Sequence, residues 1–172
     1  MTADQTFYPT AKMAMESPKE ELAYIATLNV HGKPDSLSTV DVNPESSSYL
    51  SRVGELTLPN IGDELHHFGW NACSAHLCPY APHPDVERRY LLIPGLRSSR
   101  MYIVDTKENP KDPKIIRTIE PEELMEKTGY SRPHTIHCGP EGIYVSALGG
   151  GTKSGEGPGG IFLMDHLTLD II

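Results

Sequence analysis

A three-strand pattern recurs three times along this chain, and it constrains the fold more than any other feature. Each copy is an apolar strand, a second strand ending in Asp, a Pro-containing or polar turn, and a third apolar strand. The first copy runs through Leu22–Leu28, Leu37–Val42 and Tyr49–Leu58, the second through Tyr90–Ile93, Arg100–Asp105 and Lys114–Ile119. The third has Gly142–Leu148, Gly160–Asp165 and a beginning at Leu169–Ile172. The marker residues Asp41, Asp105 and Asp165 stand 64 and 60 residues apart. Such units bury their apolar faces by stacking on one another, so the period predicts the four-stranded antiparallel blades of a β-propeller. A β-sandwich uses the same strands but needs no sixty-residue period.

The fold class read from this pattern is all-β with a short connecting helix. The 172 residues, 38% hydrophobic and 22% charged, suffice for one domain with a core of its own. The expected division is an N-terminal extension at 1–20, a first blade at 21–60, a second at 61–120 and a third, truncated, at 121–172. Fifteen Pro and fifteen Gly mark the many turns. The helix is expected at Glu120–Gly129, with Pro121 near its start, acids in its first turn and Gly129 at its end.

Two segments are left over before the second and third copies, and on the propeller reading they are the innermost strands of those blades. One is Glu64-Leu65-His66-His67-Phe68-Gly69-Trp70-Asn71-Ala72-Cys73 and the other Arg132-Pro133-His134-Thr135-Ile136-His137-Cys138. They hold four of the eight histidines and two of the three cysteines, the inventory of a borderline metal site lining a central channel. Strand parity limits the ligand count. Neighbours on a regular strand face opposite ways, so one of His66 and His67 and one of His134 and His137 contacts a metal unless the backbone turns, as Gly69 and Pro133 allow. The partner histidines, with Glu64 or Asp63, then orient the ligands.

Imidazole nitrogens suit copper, zinc or iron, and of these zinc does not change oxidation state. Each cluster also has a structural reading. A His-His pair beside Phe68 and Trp70 fits a packed strand, but a second His-x-x-His-Cys in the next repeat favours a site. Cys73 and Cys138 are thiol candidates, Cys138 reading first as a small buried residue. Cys73, His76 and Cys78, with His83 nearby, have irregular spacing and read as a surface loop. No role is assigned to His31 or His166.

The formal net charge of −8, from 15 Lys and Arg against 23 Asp and Glu, disfavours nucleic acid and anionic membranes as partners. No apolar run approaches the ~20 residues of a membrane span, and Met1–Lys19 lacks a signal-peptide core. Three irregularly spaced cysteines read as reduced thiols or metal ligands, so the expected location is cytoplasmic. Gly149–Gly160 contains phosphate-loop-like elements, but a strand follows it where a P-loop needs a helix, and it reads as a hairpin connection. The apolar end Leu167–Ile172 reads as a stop inside a strand, and three units fall short of the ~4 that close a propeller. A fragment lacking its C-terminal blades is expected, with an exposed sheet edge.

At this point the residues carry a resemblance. Asp63 through Cys73, Ser98–Asp105, Arg132 through Cys138 and the Thr39–Pro44 turn are similar, in order and separation, to the selenium-binding protein family, whose members include methanethiol oxidases. The resemblance covers Ala23 to the last residue. It implies a roughly seven-bladed propeller, of which this chain is the N-terminal three blades. The implied reaction is oxidation of methanethiol, the small thiol substrate, with O2 and water to formaldehyde, hydrogen sulfide and hydrogen peroxide. It further implies a copper centre held by histidines, matching His66, His67 and His134 with His137 as a neighbour, and a further histidine beyond Ile172. A fragment of such an enzyme is expected to be inactive, its channel open where the missing blades belong. The alternative within the family is a non-enzymatic propeller binding selenium or heavy metals, with a transport or interaction role. Two departures weigh against selenium at these sites: Leu50 stands where animal members place a cysteine, and His76 occupies the second position of a Cys-x-x-Cys.

Overall fold

The protein is seen in a computed structural model that describes residues 10–16, 19–72, 86–150 and 157–172. The ordered strands are β1 (Leu22–Thr27), β2 (Pro34–Asp41), β3 (Arg52–Ile61), β4 (Gly69–Trp70), β5 (Tyr90–Pro94), β6 (Met101–Asp105), β7 (Lys114–Ile119), β8 (Pro133–Cys138), β9 (Ile143–Ala147) and β10 (Gly160–Met164). They form three antiparallel sheets of the order β1-β2-β3, β4-β5-β6-β7 and β8-β9-β10. Within each sheet, consecutive strands are neighbours. The start of a fourth strand in the last sheet is an isolated bridge between Ile171 and Met164.

The middle sheet explains why its sequence shows no polar alternation. β5 and β6 are buried on both faces. Leu91, Ile93, Tyr102 and Val104 pack with Leu37 and Leu58 of the first sheet. The alternate residues Leu92, Met101 and Ile103 pack with Ile136, Ile143, Val145 and Phe162 of the third. A period of two therefore divides one apolar run between two cores, each fully buried Leu, Ile or Met contributing about 1.5–3 kcal/mol. The result is the stack of sheets that the recurring pattern predicts.

The expected helix spans Pro121–Thr128 (α2), with Pro at its start, Glu122 and Glu123 in the first turn and Lys127 in the last. Gly129 closes it at φ 70°, donating its N–H to the Met125 carbonyl at 2.8 Å. Leu124 projects from α2 into the core between the second and third sheets. A second, shorter helix at Ala11–Glu16 (α1), in the N-terminal extension, has no counterpart in the sequence reading. The third strand of the first copy lies at Arg52–Ile61, later than the Tyr49 start expected from its apolar residues, because Asn43–Ser51 is taken up by turns around Asp41. β9 and β10 pair as a hairpin across the glycine-rich connection, whose residues 151–156 lie outside the described residues. Among the described residues no helix is long and apolar enough to cross a membrane.

Candidate functional site

The site begins where β3 ends. Gly62 (φ 83°) and Glu64 (φ 58°) both adopt left-handed backbone conformations, so the chain reverses direction there. Its course is held by three hydrogen bonds: Leu96 N–H to the Glu64 carbonyl at 3.2 Å, Arg97 N–H to the Asp63 carbonyl at 3.0 Å, and Leu65 N–H to Asp35 Oδ2 at 3.0 Å. Leu65 bridges to Gly95, but His66, His67 and Phe68 belong to no strand, and regular pairing resumes only at Gly69. Parity does not apply to this irregular segment.

β4 then passes close to β8. A Cβ at Gly69 would lie 2.8 Å from the Ile136 carbonyl oxygen and 2.9 Å from its Cβ and Cγ2. The missing side chain lets the inner edges of two sheets approach, and three imidazoles meet there. The His67 and His134 rings stand edge to face with centroids 4.4 Å apart, and those of His66 and His134 are 5.6 Å apart. His66 Nε2 lies 3.1 Å from Glu64 Oε1, and the Arg97 guanidinium pairs with the second oxygen of Glu64. His134 Nδ1 shares a hydrogen bond of 3.0 Å with Thr135 Oγ1.

This grouping differs from the one that strand parity suggests. Both His66 and His67 reach the cluster because the backbone turns before them. His137 does not reach it: it is exposed, and its Nδ1–H donates to the carbonyl of Cys138 at 2.6 Å. That only one of the two histidines of β8 contributes is what strand parity allows. Asp63 is not an orienting residue for the histidines either. It is fully buried, accepts from the Tyr102 hydroxyl at 2.7 Å, and has its other oxygen 3.9 Å from Arg100. Burial, and then the bond to Asp63, push the Tyr102 phenol up.

The cysteine expectation is corrected as well. Cys138 is buried, as a small core residue should be, but it is disulfide-bonded and so is not a free thiol. Irregular spacing of cysteines excludes a disulfide framework, not a single bond between segments brought together by folding. Cys73, His76, Cys78 and His83 lie outside the described residues. Leu50 stands in the β2–β3 turn at φ 59°, two-thirds exposed at 67%.

His166, to which the sequence suggests no role, is buried with Nδ1 2.7 Å from the Asn71 carbonyl and Nε2 2.9 Å from the Gly139 carbonyl. It fastens the third sheet to the end of β4. Arg97 is likewise invisible in the sequence, since only the bonding of its turn to Asp63 and Glu64 brings it to the site.

Desolvation, with the neighbouring His67 and then His66, holds His134 below the usual histidine range. A histidine with a lowered folded-state pKa binds fewer protons folded than unfolded, so stability rises with pH across the interval below its unfolded value near 6.5. That contribution is lost as the pH falls through the interval. Urea unfolding between about pH 8 and about pH 5 should show a fall that is smaller in His134→Ala. An identical pH slope in the variant would exclude His134 as a cause.

The family model for the 56 kDa selenium binding protein (SBP56) matches residues 1–172. The chain belongs to this family. It is 44% identical over 166 residues to selenium-binding protein 3 of Arabidopsis thaliana, covering 94% of this chain and 34% of the relative. It is 41% identical over 169 residues to the methanethiol oxidase of Danio rerio, covering 96% and 36%. A solved structure of a hypothetical selenium-binding protein from Sulfolobus tokodaii superposes with a TM-score of 0.86 at 55% identity, over 98% of this chain and 37% of that one. The chain thus spans about a third of the length of these relatives. The three stacked sheets are the propeller-type architecture of that family.

Proposed function

We propose that this chain contributes the histidine cluster of a methanethiol-oxidising centre, and that His66, His67 and His134 hold copper there. The observation that carries the reading is the convergence of these three rings, from segments far apart in sequence, at the inner edges of adjacent sheets. Three imidazoles with a carboxylate behind one of them are a donor set suited to a borderline metal, and desolvation holds His134 below the usual histidine range. The fit lies in the imidazole donors and in the Glu64 carboxylate beside His66. The rings pack edge to face, and no group of three His, Cys, Asp or Glu among the described residues is arranged to hold an ion.

Copper bound there would supply a redox-active acceptor for thiol oxidation. The protein's part is to present the imidazoles, hold His66 through Glu64 and keep His134 unprotonated. His137, turned toward the Cys138 carbonyl, is not placed in the ligand set. Methanethiol is the substrate in this reading because a relative of 41% identity is named methanethiol oxidase. The remaining length of such a relative, about two-thirds, would complete the channel.

Copper content and O2 uptake with methanethiol test this reading, in the chain and in a longer form carrying the rest of the relatives' length. His66→Ala, His67→Ala and His134→Ala should each lower copper affinity by at least the roughly 10–100-fold that losing a mere hydrogen-bonded partner of a ligand costs. Copper uptake unchanged in all three variants would refute the site. Copper bound without thiol-dependent O2 uptake in the longer form would leave a metal-binding protein of the selenium-binding type, not an oxidase.

A further inference from the structure

We infer that the cleft between the edge strands β1 and β4 is a binding site for a small aromatic carboxylate, whose charge is taken by Arg88. The inference is independent of the metal reading proposed above.

The cleft has a volume of about 600 Å³, within the range of small-molecule sites. Its apolar wall is aromatic. Tyr24 of β1, Phe68 just before β4 and Trp70 of β4 each pack against the core shared by the first and second sheets, and each also lines the cleft. Tyr24 and Trp70 meet edge to face, with ring centroids 6.1 Å apart at 67°. The Tyr24 hydroxyl donates to the Pro110 carbonyl at 2.8 Å, which fixes its ring. The two rings make a corner against which a third ring can stack or stand on edge.

The sign of the ligand follows from Arg88, the least exposed charge of the lining. Its guanidinium lies over the Trp70 ring, 5.0 Å from the centroid, and its side chain is 17% exposed. A guanidinium stacked by its face keeps its N–H groups at its edge, in the plane, where a carboxylate accepts them in pairs. Arg88 donates there to Glu20 at 3.1 Å, and the Glu20 side chain is 67% exposed. Glu20 thus holds the place of a ligand carboxylate, and as an exposed partner it contributes little and exchanges readily. Lys19 and Glu21, the other charged groups of the lining, are exposed and opposite in sign, so Arg88 decides.

Trp70 is the chain's only tryptophan, so its indole 1H–15N resonance is unique and sits at the cleft. Titration with trans-cinnamate should shift this resonance to saturation. Cinnamyl alcohol, with the ring but not the charge, and acetate, with the charge but not the ring, should each bind at least about tenfold more weakly. Arg88→Gln should weaken cinnamate about tenfold or more, with partial recovery in Arg88→Lys, which keeps the charge but not the planar fork. Glu20→Gln removes the competing carboxylate from an exposed position and should tighten cinnamate about two- to fivefold. An indole resonance unmoved by cinnamate, equal affinity for cinnamate and its alcohol, or wild-type affinity in both Arg88→Gln and Glu20→Gln would overturn the inference. Should Arg88→Gln fail to fold, the alcohol comparison and Glu20→Gln still decide it.

Discussion

Gly69→Ala is expected to destabilise the protein by about 3 kcal/mol, the upper end for inserting one carbon into a filled space. The new Cβ would stand 2.8–2.9 Å from three atoms of Ile136, one of them a backbone oxygen. Ile136 cannot retreat, because it is part of the core between the second and third sheets, together with Leu92, Ile103 and Val145. The relief available is for β4 to move away from β8. β4 is tied to β5 by only two residue pairs, Gly69 with Leu92 and Trp70 with Leu91, so it is the element that yields. Its displacement carries His66 and His67 away from His134. Zinc or copper affinity should therefore fall together with the urea midpoint, and Gly69→Ser should behave in the same way. Wild-type stability and wild-type metal affinity in Gly69→Ala would show that the close approach of the two sheets is not what assembles the cluster.

Asn71→Ala is expected to cost about 3 kcal/mol or more, because its amide uses its whole hydrogen-bonding capacity in a buried position. Oδ1 accepts from Arg89 N–H at 3.1 Å and Tyr90 N–H at 3.0 Å. Nδ2 donates to the carbonyls of Glu87 at 3.0 Å and His166 at 3.3 Å. Truncation strands these backbone groups, and each buried one left unsatisfied costs ~1–3 kcal/mol. Asn71→Asp is the sharper variant. It keeps both acceptor contacts but turns a carboxylate oxygen toward the carbonyls of Glu87 and His166. Both variants should lower the thermal midpoint and increase hydrogen exchange at Arg89 and Tyr90. A neutral effect of Asn71→Asp would mean that the two amide donor bonds contribute nothing to stability.

Much of the architecture is legible in the residues because the cause is local. The apolar runs at Tyr90–Ile93 and Met101–Val104 have no polar alternate positions, and only a sheet covered on both faces accommodates them. The α2 boundaries follow from Pro121 and Gly129, whose backbone preferences act within one turn. The second leftover histidine segment forms β8 and the first leads into β4, both at the edges of their sheets, because in each unit the other strands are already accounted for.

The site itself is only partly legible. Parity is a rule for regular strands, and the chain from Gly62 to Phe68 is not one. Its course depends on backbone bonds to Asp35, Leu96 and Arg97, residues distant in sequence. The same long-range bonding brings Arg97 to Glu64. The disulfide at Cys138 and the seating of His166 between two carbonyls are likewise products of segments meeting in space.

By itself, then, the sequence determined the repeating all-β plan, the connecting helix and the two segments that carry imidazoles to the inner edges of adjacent sheets. These follow from periodicity and turn chemistry, which act over a few residues. The resemblance already named His66, His67 and His134; the tertiary structure alone decided that both members of the His66–His67 pair reach the cluster and which carboxylate stands behind one of them. Those choices depend on two left-handed residues and one glycine without a side chain, whose effects appear only when the sheets are packed together.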